Sequence, residues 1–198
     1  MRDLLMLGTV LAVLVVGGCR QTAEPNEPAW KVLAEGGMSP AQAAQRDAAL
    51  AAREAMFTEL KGRLMEVIGA EGPSAAIAVC AKEAPQIAAD TAREHAVSIG
   101  RTSFRLRNPK NAPPQWATQL VADRVDKPTY LSDGRTLAVL LPIRLEAQCL
   151  MCHGVKEAIP SVVGDAIAKH YPEDQATGFG EGDLRGWFWI EVPAANRR

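Results

Sequence analysis

Apolar residues change their spacing repeatedly along this chain, and each change marks an element. An unbroken apolar run from Leu4 to Val16 opens it. A polar stretch broken by Pro25, Pro28, Gly36 and Gly37 follows. From Leu50 the apolar positions fall at steps of mostly three and four: Leu50, Phe57, Leu60, Leu64 and Val67. That spacing predicts a long amphipathic helix, opened by Ser39-Pro40 as cap and first helical residue and closed near Gly69. Core packing is the economical use for such a helix, and dimer contacts are the alternative. A second helix is expected from Pro73-Ser74, with Ile77, Cys80, Ala84, Ile87 and Thr91 along one side. Cys80 therefore faces the apolar side. Pro85 cannot donate to the carbonyl of Ala81, so a kink or break is expected just after Cys80.

The period then shortens to two. Val97 and Ile99 alternate with polar neighbours in a strand spanning 96–104. A loop rich in Pro and Asn covers 108–114, and a short helix 115–124. Asp133-Gly134 is a hairpin signal between strands at 129–131 and 135–145. Leu137, Val139, Leu141, Ile143 and Leu145 share one face of the return strand, and Pro142 suggests an edge position or a bulge. A helix at 160–170, a glycine-rich loop at 178–186 and a last strand at 187–192 complete the pattern. Helices followed by antiparallel strands indicate an α+β domain.

The chain has 198 residues, 47% of them hydrophobic, enough for one domain with a real core. A formal net charge of −1 gives no electrostatic case for nucleic acid or for an anionic membrane surface. The opening apolar run is too short to span a bilayer comfortably. With Arg2 before it and small residues after it, it reads as an export signal. Val16-Gly17-Gly18-Cys19 resembles a bacterial lipobox, in which the cysteine takes a lipid and becomes the new N-terminus. A plain signal peptide with a chance cysteine is the alternative. The expected organisation is a lipoprotein signal over 1–18, a tether over 19–38 and a folded domain over 39–198. The expected location is the periplasmic side of a bacterial membrane, held by the lipid anchor. Trp30, Val32 and Leu33 could dock on the domain.

Four cysteines are present: Cys19, Cys80, Cys149 and Cys152. The last two stand in Cys149-Leu150-Met151-Cys152-His153, a CxxCH pattern. Two thiols at that spacing can each form a thioether to one vinyl group of a haem, and the histidine directly after them can bind its iron. The pattern thus points to one covalent haem c with His153 as a ligand. Two rivals stay open. A redox CxxC also follows a strand, at a helix N-terminus that lowers the thiol pKa. A structural zinc needs four ligands, for which Cys80, His95 and His170 are the remaining donors. Cys80 is the cysteine without a partner, and its apolar position fits either a buried inert thiol or a ligand.

Arg101, Arg105 and Arg107 alternate along the expected strand, so all three should project to one side. A haem carries two propionates, and arginine suits carboxylates, so Arg101 and Arg107 are candidate contacts. An ordinary charged solvent face explains the same spacing. His95 and His170 are further candidate ligands. Met151, Met38, Met56 and Met65 are better placed as motif, core or tether residues.

Several blocks together resemble a known family, the PAS-like single-haem c-type domains found as lone exported proteins and as extracytoplasmic input domains of sensors. The blocks are Ala76-Ile77-Ala78-Val79-Cys80, Arg101-Thr102-Ser103, Arg107-Asn108-Pro109-Lys110-Asn111, Cys149 to Gly154, and Tyr171 to Gly178. The resemblance implies a PAS-like antiparallel sheet with flanking helices behind the long N-terminal helix. It also implies iron held by a histidine and a cysteine sulfur, here His153 and Cys80. The implied function is a redox or small-ligand sensor. Thiolate ligation lowers the potential, NO or CO can replace the sulfur, and the signal passes to a separate partner protein. A single-haem electron carrier is the alternative. A haem enzyme such as a peroxidase is the weakest reading, because no distal acid–base pair can be identified in the sequence.

Overall fold

A computed structural model describes residues 29–195. The export signal, Cys19 and the first part of the tether lie outside the described residues.

The long helix α1 runs from Pro40 to Glu71. Its N-terminus is a reciprocal box: the Gln42 N–H donates to Ser39 Oγ (3.3 Å), and the Ser39 N–H donates to Gln42 Oε1 (2.9 Å). It ends at Gly72, whose φ of 87° turns the chain directly into the next helix. One face of α1 buries Ala49, Ala52, Met56, Leu60 and Val67.

The second helix forms in two pieces, α2 (Pro73–Ala78) and α3 (Ala84–Glu94), joined by a π-helical turn over Val79–Glu83. Within it the Ala84 N–H reaches back five residues to the Val79 carbonyl. The break expected near Cys80 is this wide turn. Pro85 has no N–H for the Ala81 carbonyl and would crowd it in a regular helix, and the extra residue in the turn relieves both problems.

Among the described residues five antiparallel strands make one sheet: β1 (Lys31–Leu33), β2 (Ser98–Thr102), β3 (Thr129–Ser132), β4 (Thr136–Arg144) and β5 (Leu184–Pro193). Their order is β1-β3-β4-β5-β2. The edge strand β1 comes from the stretch read as tether and pairs Leu33 with Tyr130. In the β3–β4 hairpin, Gly134 has φ 94° and Asp133 Oδ1 accepts the N–H groups of Arg135 and Thr136. Partner β3 pairs only with Leu137–Leu140, so Pro142 sits where β5 alone lies beside β4. A register shift follows at Ile143/Arg144.

One strand boundary differs from the sequence reading. The strand expected over 96–104 ends at Thr102, because Ser103 diverts the chain. Its hydroxyl donates to the Arg185 carbonyl and accepts the Arg105 N–H (3.0 Å), a local turn that competes with ladder pairing. Arg105 and Arg107 therefore lie beyond the strand.

Between these elements are three short helices: α4 (Thr118–Ala122), α5 (Leu150–His153) and α6 (Ser161–His170). The main core lies where α1 and α3 cover one sheet face, around Met56, Leu137, Val139, Phe188 and Ile190. The other face buries Leu140 and Trp187 against Ala117 and Val121. A separate cluster joins α2 to α6 through Ile77, Val163, Ile167 and Tyr171. The fold is α+β and PAS-like, as the resemblance implied.

Candidate functional site

Strand β4 delivers the chain to a 3-10 turn, Ala147–Cys149, and then to the single turn of α5 that ends at His153. Gly154 follows because a Cβ there would stand 2.6 Å from the Leu150 carbonyl oxygen. The glycine-rich loop returns over this turn. The Gly178 N–H donates to the Gly154 carbonyl (2.7 Å), and the Phe179 N–H to the His153 carbonyl (3.0 Å).

His153 Nδ1 lies 2.7 Å from the Ala176 carbonyl oxygen. A carbonyl only accepts, so Nδ1 carries the proton and Nε2 keeps its lone pair for a metal. Burial, then the charges of Arg107 and Arg185, push the His153 pKa well below its ordinary value. The ring is held as the neutral, ligating tautomer.

Arg107 is buried against the same segment. Its Nε is 3.0 Å from Asp174 Oδ1, and its Nη2 is 3.2 Å from Asp174 Oδ2. Nη2 also reaches the carbonyls of Cys152 (2.6 Å) and Ala176 (3.2 Å). The Ala176 N–H returns to Asp174 Oδ1 (3.0 Å). One ion pair, each side chain 8% exposed, thus fixes the motif backbone and the carbonyl on which His153 rests.

These parts border a cleft of about 1410 Å³, counting the space open to solvent. Cys149, Met151, Cys152 and His153 line one side, and Cys80 reaches it from the π-turn. Phe57, Leu60, Leu64, Ile77 and Phe188 make apolar walls. Arg101, Arg107 and Arg185 also line the cleft, close enough to act on one another electrostatically. No disulfide joins Cys80, Cys149 or Cys152. Cys80 and Cys152 pack on the same α2–α6 cluster. Met65 borders the cleft from α1, whereas Met56 lies in the main core and Met38 packs against it. Neither His95 nor His170 is among the cleft-lining residues. The described residues contain no group of three or more His, Cys, Asp or Glu placed to hold a metal, which leaves the zinc rival without a ligand set. Burial pushes the Cys152 thiol up.

The three arginines do not share one side as their alternation suggested. Arg101, on β2, lines the cleft. Arg105 is exposed, donates to the Thr177 carbonyl and stacks over Phe104 and Phe179. Arg107 already holds Asp174. The residue that sequence reading missed is Arg185. Ile143 pairs with Gly186 and Arg144 with Leu184, so Arg185 is the extra residue of a β-bulge. A glycine inside a strand pattern was the available signal, since it often marks a bulge. Arg185 Nη1 donates to Ser103 Oγ and to the Arg105 carbonyl. Its Nε is buried with no partner. Burial, with Arg107 and Arg101 nearby, pushes its pKa down to about 10.

Fold and site together define a PAS-like α+β domain whose cleft carries a CxxCH turn, a cysteine on a π-turn and a cluster of arginines. The chain belongs to the Tll0287-like family, whose model matches residues 32–193. Among solved structures it is similar to that of the cyanobacterial heme-protein Tll0287, at 24% identity and a TM-score of 0.59, over 81% of this chain and 100% of that one. No curated protein matches the chain. The family resemblance read from the sequence blocks is borne out.

Proposed function

We propose that the cleft takes one haem c, with thioethers at Cys149 and Cys152 and iron ligands at His153 and Cys80. The carrying observation is convergence: residues more than sixty positions apart in the chain border one cleft. The residues present suit the group. Nε2 of His153 is the free nitrogen of a neutral ring, the walls are apolar, and a buried Arg185 Nε waits without an acceptor. The solved relative is described as a heme-protein, which supports the same reading. When bound, the group supplies one-electron exchange at iron and, where a ligand leaves, a position for a small gas.

In this reading the chain is an exported, lipid-anchored sensor module rather than an enzyme, with Cys19 as the lipid site. No helix among the described residues is long and apolar enough to cross a membrane. His153 is the fixed ligand, because the Ala176 carbonyl holds its ring and the Phe179 N–H holds its carbonyl. Cys80 is the replaceable one, since it sits on a turn already departing from regular helix. Loss of the Cys80 ligand to NO or CO would reach α1 through Glu83 of the same turn, which accepts from Arg63 Nε at 2.7 Å. The signal then passes to a separate protein.

The test is mass, absorption and EPR of protein made where cytochrome maturation operates. We expect the added mass of one haem and a low-spin ferric spectrum of thiolate–histidine type, lost in Cys80→Ala. Colourless protein of unmodified mass refutes the reading.

Electron transfer is the second reading. Val155 and Val162, on the segment just after the motif, are 53% and 60% exposed, which suits a docking partner. Fast electron exchange with an exported cytochrome, with no NO or CO binding, selects it over the sensor.

A further inference from the structure

We propose that Arg185 and Arg101, the two cleft arginines without a counter-charge, form the carboxylate-binding site of the cleft and take the two haem propionates. This rests on the haem reading above.

The argument begins with charge. Of the charged residues bordering the cleft, Lys61 and Glu146 pair with each other, and Arg144 reaches Asp126. Arg107 pairs with Asp174. Arg101 and Arg185 remain. The Arg101 side chain makes no hydrogen bond or ion pair among the described residues. Arg185 bonds Ser103 and Arg105 through Nη1 alone, and its Nε is a buried donor without an acceptor. Two cations are left without counter-charge, and a haem carries two carboxylates.

Geometry adds a second line. A guanidinium with a buried, unpartnered Nε beside two others is costly unless an anion joins it. The chain nevertheless spends a β-bulge on bringing Arg185 here, with Gly186 beneath it. A Cβ at Gly186 would collide with the Thr102 carbonyl, so the glycine lets β5 lie close enough to β2 for the bulge to form. The orphaned Arg185 Nε and the unpaired Arg101 guanidinium together specify an acceptor-rich, anionic ligand edge. Arg107 is already charge-paired, with its Nε and Nη2 committed to Asp174 and two backbone carbonyls.

Resonance Raman spectra and midpoint potentials of haem-loaded Arg185→Gln, Arg185→Lys, Arg101→Gln and Arg124→Gln test this. The propionate bending bands should shift in Arg185→Gln and in Arg101→Gln. The midpoint should fall in both, because a nearby positive charge that disfavours ferric iron is gone. Arg185→Lys should restore the potential in large part. Arg124→Gln, which removes a cation stacked over Phe104, should match the parent. Arg101→Gln keeps the test alive if Arg185→Gln fails to fold, since Arg101 holds no other group. Haem-loaded variants at both positions with parental bands and potential overturn the proposal and leave the haem reading standing. A parent protein without haem overturns both.

Discussion

Arg107 serves two backbone carbonyls and one carboxylate from a single buried guanidinium, so the question at residue scale is what its loss releases. Both side chains of the Arg107–Asp174 pair are 8% exposed. Removing one member leaves the other charge buried and uncompensated, a loss of about 3–5 kcal/mol. Arg107→Gln should therefore lower the unfolding free energy of the haem-loaded protein by that order in denaturant titrations. The effect should extend beyond stability. The Ala176 carbonyl that orients His153 is itself held by Arg107 and, through the Ala176 N–H, by Asp174. The ferric EPR of Arg107→Gln should broaden as the imidazole loses its fixed plane. Arg107→Gln combined with Asp174→Asn should cost less than the two single changes summed, because the pair is removed together. A single variant within about 0.5 kcal/mol of the parent, the range of an ordinary surface change, would remove Arg107 from this role.

At the scale of elements, two irregularities make the site: the bulge at Arg185 and the π-turn at Cys80. The bulge depends on Gly186, whose missing Cβ lets the Thr102 carbonyl approach. Gly186→Ala must push β2 and β5 apart at that end or flatten the bulge. We expect a loss of about 1–3 kcal/mol, the usual cost of overpacking, read as a lower denaturation midpoint. Gly134→Ala, where nothing lies within 4 Å of the added carbon, should be penalised only through its positive φ. The same irregularities divide what could be read in the sequence from what could not. Cys149, Cys152 and His153 could be singled out as candidates because CxxCH is a local spacing, and the structure brings all three to the cleft. The break after Cys80 was legible because Pro85 removes a specific donor. The paired face of β4 followed from simple alternation. Arg185 was not legible, because a bulge shifts a residue out of the period on which alternation depends. Arg105 and Arg107 were placed on one side by extending a strand that Ser103 cuts short. The edge strand Lys31–Leu33 is three residues long, too short to carry a period, and owes its form to pairing with β3.

Across the whole molecule the cleft separates two bodies of unequal strength. The main core spans α1, α3 and four strands, whereas the α2–α6 cluster rests on four buried side chains, Ile77, Val163, Ile167 and Tyr171. Burying four such residues contributes roughly 1.5–3 kcal/mol each, before the entropy of ordering two helices and the π-turn is charged against it. The smaller cluster is thus the natural unit of local opening. Two exposed ion pairs run from α1 to the lips of the cleft, Lys61 to Glu146 ahead of the motif and Arg63 to Glu83 in the π-turn. Exposed pairs of this kind are weak restraints. A group bonded to Cys149, Cys152 and His153 and also to Cys80 would tie α5 to the π-turn across the gap. A group bound by the native state alone stabilises it by mass action, and a covalent one cannot be diluted away. Hydrogen exchange on the haem-loaded protein and on a Cys149→Ala/Cys152→Ala variant lacking haem should show this directly. Amides of α2, the π-turn and α6 should exchange at least tenfold faster without haem, a difference of about 1.4 kcal/mol in local opening. Central β4 and β5 should change far less, because their protection comes from the main core. Equal exchange in the two proteins would mean that the α2–α6 cluster stands without the cofactor, and that Cys80 transmits nothing to the elements around it.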